Sequence, residues 1–217
     1  MKMVRNVIIA IRNKVRDFVR KKRNISIQKK LVNRDFTLIC DNCTAGVMYH
    51  DLGIEFLSPT INLYIVPDDY LKFISNLKYY TSLPVEDSGE RGVDGKGEFP
   101  IGVIDDIRIY FMHYHSFEEA KTKWEERCKR INWDNLFFIM HKRSDKCQEK
   151  HIKKFDSLPL SKKIIFVNTP HPNIKSSVYI KGFEKQNGVG NIMWFKPPKI
   201  LAKRYYEDFD FIDWLNN

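Results

Sequence analysis

Phe36-Thr37-Leu38-Ile39-Cys40 runs into Asp41-Asn42-Cys43 and then into Thr44-Ala45-Gly46-Val47-Met48-Tyr49-His50-Asp51-Leu52-Gly53, near the start of a 217-residue chain. A short apolar run bounded by polar residues has the pattern of a buried strand, and the apolar residues after it recur at helical spacing until Gly53. Strand and helix therefore meet at Asp41-Asn42-Cys43. In an open α/β sheet that edge is where ligands bind, because unpaired N–H groups at the helix start favour negative charge.

The alternation continues along the chain. Residues 136–140 and 163–167 read as further buried strands, with a helix begun by the Ser116-x-x-Glu119 capping box and another over 148–155 placed around them. Strands alternating with helices predict an α/β fold: one layered domain over residues 35–217, its sheet largely parallel or mixed and flanked by helices. Residues 61–66 add a strand ending at Pro67, residues 70–80 a helix capped by Asp68 or Asp69, and residues 101–104 with 107–114 a hairpin turning at Asp105-Asp106. Residues 178–180 and 192–195 predict an antiparallel hairpin at a sheet edge. Pro197-Pro198 opens a last helix that turns Leu201, Tyr205, Phe209, Ile212 and Trp214 toward the core. Residues 87–100 hold four glycines and no apolar period, the pattern of a loop. It is not a phosphate loop, since no Ser or Thr follows Lys96 and no strand leads in.

Charge is divided unevenly. Of 37 Lys and Arg residues, twelve lie in residues 1–34 against one acid, Asp17, giving that segment +11 while the remainder nearly cancels at −1. Residues 1–34 thus form a basic arm, helical in pattern, with Val4, Val7, Ile8, Ile11, Val15 and Phe18 on one stripe and Arg5, Arg12, Lys14, Arg16 and Arg20 largely outside it. Such an arm suits an anionic membrane surface through residues 1–30, each cation near it contributing about 1 kcal/mol, or it packs on the body or on a second copy in a homo-oligomer. Nucleic acid is disfavoured because the body lacks a basic face with interleaved aromatics. No apolar run is long enough to span a bilayer and no secretory pattern is present, so a cytoplasmic location, peripheral to the inner membrane face, is expected.

Polar residues gather at the strand ends. Cys43 at a helix start is the nucleophile candidate, since the helix dipole lowers a thiol's pKa there, and Asn42 with the first helical N–H groups is the oxyanion donor candidate. His113 or His115, two apart on a strand and so on one face, supplies the base. Asp41, Thr44, Ser116, Asn168 and His171 complete the ligand-binding candidates. Each has a bland alternative: cysteine packs readily in cores, and strand-end histidines are often simply hydrogen-bonded. Cys40-x-x-Cys43 lacks the second pair that zinc would need, so no metal ligands are assigned, and the sequence names no cofactor.

Phe36-Thr37-Leu38-Ile39-Cys40-Asp41-Asn42-Cys43, Leu52-Gly53 with Ser58-Pro59-Thr60, Phe111-Met112-His113-Tyr114 with Trp124 and Arg127, and Arg130-Ile131-Asn132-Trp133-Asp134-Asn135-Leu136-Phe137-Phe138 together resemble a bacterial family labelled exopolysaccharide or capsular polysaccharide biosynthesis protein. The resemblance covers about residues 35–215 and implies a place in surface-glycan assembly while leaving the reaction open. Asn42-Cys43 also resembles the Asn-Cys-Gln turn of a capsule acetyltransferase group, with Thr44 in place of Gln. Two functions follow as expectations: an enzyme transferring an acyl or glycosyl group from an activated donor to a glycan precursor, or a non-catalytic, membrane-peripheral binding or assembly protein.

Overall fold

The computed structural model describes residues 2–95, 97–143 and 146–217. In chain order it runs α1 (Lys2–Lys30), β1 (Thr37–Cys40), α2 (Thr44–Leu52), α3 (Pro67–Ser75), α4 (Leu77–Ser82), β2 (Glu86–Asp94), β3 (Gly97–Ile104), β4 (Ile107–Tyr110), α5 (Phe117–Cys128), β5 (Leu136–His141), α6 (Glu149–Ser157), β6 (Lys163–Val167), β7 (Ser177–Tyr179) and α7 (Phe211–Asn216). Strands β1, β5, β6 and β7 pair in that order and all in parallel. A separate antiparallel sheet is formed by β2, β3 and β4. The fold is mixed α/β, as the sequence predicts.

The parallel sheet is buried on both faces, which is why its strands are apolar without alternation. Ile39, Phe138, Met140 and Ile165 point into one core with Tyr70, Phe73, Trp124 and Phe155. Leu38, Phe137, Ile139 and Phe166 point into the other with Met48, Tyr49, Tyr206 and Leu215. Each strand is thus divided between two cores by its pleat.

Helix α2 starts immediately after β1 and stops at Gly53, whose φ of 65° is left-handed and whose N–H closes on His50 O. Its last turn is fastened. The Asp51 carboxylate takes Arg20 Nη2, Arg204 Nε at 2.7 Å and the Tyr206 hydroxyl at 2.6 Å. Arg20, itself buried, also reaches Glu207 and the Ala202 carbonyl, and Arg23 adds a bond to Glu207 at 2.6 Å. These bonds tie α1 and the C-terminal segment to α2.

Several stretches depart from their predicted form. Residues 61–66 are irregular: Asn62 sits at a left-handed φ of 62°, and only Tyr64 pairs, with Tyr110, as an isolated bridge. The predicted helix over 70–80 is two helices, broken at Asn76 with a φ of −142°. Residues 87–100 are a hairpin of β2 and β3 instead of a loop, with Lys96 outside the described residues. Strand β2 is held by the antiparallel backbone ladder to β3, its side chains being mostly polar or charged, with Arg91 paired to Asp87 inside β2 and Arg108 of β4 to Glu90, which leaves no apolar period to read. The edge hairpin is absent among the described residues: β7 runs parallel to β6, and of 192–195 only Phe195 makes a bridge, to Arg204. The last helix shrinks to α7 because Ala202, at a φ of 49°, ends a short 3₁₀ turn over Lys199–Leu201, and a second 3₁₀ turn follows over Tyr205–Asp208.

Candidate functional site

The carboxyl edge of the parallel sheet places Asp41 after β1 beside His141, the last residue of β5. One Asp41 oxygen accepts the His141 backbone N–H at 3.0 Å, and the other lies 2.6 Å from His141 Nδ1. Across the ring, Nε2 is 3.1 Å from the Thr44 hydroxyl. Asn42 Oδ1 accepts both that hydroxyl, at 2.7 Å, and the Thr44 N–H, at 2.9 Å. Asp41, Asn42, Thr44 and His141 are each no more than 3% exposed.

Proton counting orders the chain. Thr44 has one hydroxyl proton, and Asn42 Oδ1 receives it; Nε2 therefore supplies the proton of the 3.1 Å contact. The Nδ1–Oδ1 contact carries a second proton between imidazole and carboxylate. Buried polar groups are expensive unless hydrogen-bonded, and each of these four side chains has a partner among the others. Two neighbouring thiols are held protonated: burial first, and the Asp41 charge second, push Cys40 well above its ordinary value and Cys147 up to about 12.

Cys40 Sγ, the Asp41 carboxylate and His141 lie within 4.8 Å of one another, a sulfur, oxygen and nitrogen set of the kind zinc accepts. The 2.6 Å between Asp41 Oδ1 and His141 Nδ1 argues against that use. Two zinc ligands so close would subtend roughly 80° at the metal, well inside the tetrahedral angle. The pair is an imidazole–carboxylate hydrogen bond.

Just past His141 in the chain, Arg143 and Lys146 help to wall a cleft of about 490 Å³ together with Tyr64, Met112 and the 186–191 loop; the four network residues are not among its lining. The loop is pinned by Val189 N–H to Lys142 O at 2.7 Å and by Asn168, which donates to Phe183 O and Gln186 O and accepts Lys142 Nζ. At Gly190 a Cβ would stand 2.5 Å from the Phe183 ring, so glycine lets the loop close on it. Tyr64 links cleft and network electrostatically. Burial, then the Asp41 charge, push its hydroxyl up to about 12, with Arg143 opposing, so it stays a donor.

The predicted site residues divide by location. Asp41, Asn42 and Thr44 meet in the network. Cys43 is the half-buried N-cap of α2, its thiol 3.7 Å from the carbonyl of Leu63, chain neighbour of Tyr64. His113 and His115 are exposed on the turn after β4, which ends at Tyr110, so the strand spacing invoked to align them does not apply. Ser116 caps α5 by accepting Glu119 N–H. Asn168 braces the cleft loop, and His171 lies 3.6 Å from Glu149. Sequence reading missed His141, Tyr64, Arg143 and Lys146. His141 ends an apolar run, and a polar residue closing a buried strand is the signal that marks it.

Residues 14–216 match the family described as a domain of unknown function (DUF1919). The chain belongs to that family. An uncharacterized protein of Haemophilus influenzae (strain ATCC 51907 / DSM 11121 / KW20 / Rd) is 42% identical over 194 residues, covering 89% of this chain and 90% of that protein. The DUF1919 match takes in the Arg20 half of α1 together with the body.

Proposed function

We propose that this DUF1919 protein works in surface-glycan assembly as an enzyme transferring an acyl or glycosyl group from a diphosphate-bearing donor held in the cleft at the sheet's carboxyl edge. The observation that carries the reading is the position of the cleft. Arg143 and Lys146 supply cations and Tyr64 a neutral hydroxyl donor, beside a buried Asp41–His141–Thr44 chain. Nucleotide sugars, polyprenyl diphosphate sugars and acyl-coenzyme A all present a diphosphate, which such cations recognise. A carboxylate that fixes an imidazole, whose Nε2–H points at the Thr44 hydroxyl, holds Thr44 and the start of α2 in one geometry and sets a proton-donating group beside it. Cys43 and Asn42 lie at the same helix start. The resemblance to polysaccharide-biosynthesis proteins supports the pathway.

A thermal-shift series with UDP-glucose, acetyl-coenzyme A and a short polyprenyl diphosphate tests the reading and separates the donor types. One of them is expected to raise the melting temperature, and to do so much less in Arg143→Ala/Lys146→Ala. No shift with any of the three would remove the proposal. A donor that binds and never turns over would make this a binding protein of the same pathway.

A further inference from the structure

Helix α1 docks in reverse for an amphipathic helix. A helix on a globular body ordinarily buries its apolar stripe and turns its charges to water. Here Arg20 and Arg23 face the body, bonded to Asp51 and Glu207, and Asn24 and Gln28 reach Asp51 as well. Arg16 lies over the Phe195 ring. At a period of 3.6 residues the stripe Val7, Ile8, Ile11, Val15 and Phe18 lies roughly opposite that face. All five are in solvent, from 43% to 58% exposed.

We infer that this outward stripe is a docking surface for an anionic lipid bilayer. Exposed cations border it on both sides, Arg5 and Arg12 on one and Lys14 and Lys21 on the other, while Lys22 lies 4.6 Å from the Phe18 ring. Such side chains lay their stems along apolar surface and keep their charges at headgroup level. The helix is not long and apolar enough to cross a membrane. Asp17 is the only acid in residues 1–34, and Arg16 neutralises it at 3.1 Å. Charge selects the occupant. A second copy would bring its own +11 arm, and residues 35–217 sum to −1, so a copy of this chain carries no net negative charge to set against the arm. An anionic bilayer supplies both the charge and the apolar layer beneath it. The inference is independent of the cleft and of any reaction there.

The test uses the full chain with sedimentable vesicles. Deleting residues 1–30 would be uninformative, because it strips Arg20 from Asp51. Vesicles of phosphatidylcholine with about 30% phosphatidylglycerol are expected to bind the protein at least tenfold more tightly than phosphatidylcholine alone. Val15→Gln/Phe18→Gln is expected to weaken binding about tenfold. Lys14→Glu/Lys21→Glu should do likewise, and about 0.5 M salt should release the parent. These four positions lie off the docked face, so thermal melts of the variants should match the parent. Parent protein left in the supernatant with both vesicle types would overturn the inference. So would binding unaffected by either variant, or a dimer dissolved by Val15→Gln/Phe18→Gln without vesicle binding.

Discussion

Helix α2 has a buried carboxylate at each end, and the two are set in different company. Asp51, in its last turn, meets two guanidinium groups and a tyrosine hydroxyl drawn from α1 and the C-terminal segment, a closed knot that joins distant parts of the chain. Asp41, just before its first turn, meets an imidazole from the adjacent strand, and its charge reaches Tyr64 in the wall of a cleft that also holds Arg143 and Lys146. A carboxylate saturated by permanent charges fixes a structure. One hydrogen-bonded to a histidine instead is in the company in which proton-handling groups are found.

The largest effect expected is at the knot. Asp51→Ala leaves Arg20 and Arg204 without their shared partner and should cost about 3–5 kcal/mol of stability, read from urea unfolding. Acid should do the same work gradually. Burial pushes the Asp51 carboxyl up, but Arg204 and Arg20 outweigh it and hold the group below its ordinary value. Its stabilising contribution is therefore complete above about pH 4, the unfolded value, and is lost as pH falls through the lower folded value. In Asp51→Asn that part of the pH dependence should vanish from the unfolding curve.

Thr44→Val probes the other end. It keeps the shape, removes the hydroxyl between His141 and Asn42, and should cost about 1–3 kcal/mol while abolishing turnover. Turnover unchanged in this variant would move the Asp41 network into the same class as the Asp51 knot. Gly53→Ala sits between the two. A left-handed φ and a Cβ 2.9 Å from Gln28 Nε2, which bonds Asp51 O, should cost about 1–2 kcal/mol by the same unfolding assay. Arg143→Ala/Lys146→Ala is the mildest for the fold: both side chains are exposed, so stability should stay within about 0.5 kcal/mol of the parent.

How much of this was legible in the sequence follows from the forces at each place. The step from β1 into α2, the strands β5 and β6 and the Ser116 cap are local patterns, and they stand where the residues placed them. Residues 61–66 look like a strand because every second position is apolar, but left-handed Asn62 bends the run, and Thr60 Oγ1 instead takes the Cys40 N–H of β1. The β2–β3 hairpin is held by backbone pairing of a β2 strand rich in charged and glycine residues, which carries no hydrophobic period. The candidate site was half visible: Asp41, Asn42 and Thr44 are contiguous, whereas His141 joins them across 100 residues by parallel pairing. Helix α1 shows the same limit. Its amphipathic pattern was plain, and which face docks is set by Asp51 and Glu207, far along the chain.

The most direct test of the contrast between the knot and the cleft is a calorimetric titration of whichever donor raises the melting temperature, UDP-glucose, acetyl-coenzyme A or the polyprenyl diphosphate, into the parent protein and into Arg143→Ala/Lys146→Ala, with each variant's unfolding midpoint in hand. Saturable binding by the parent, weakened about tenfold or more in the folded double variant, is the expected result. No binding by the parent, or equal affinity in both, would contradict the assignment of that cleft.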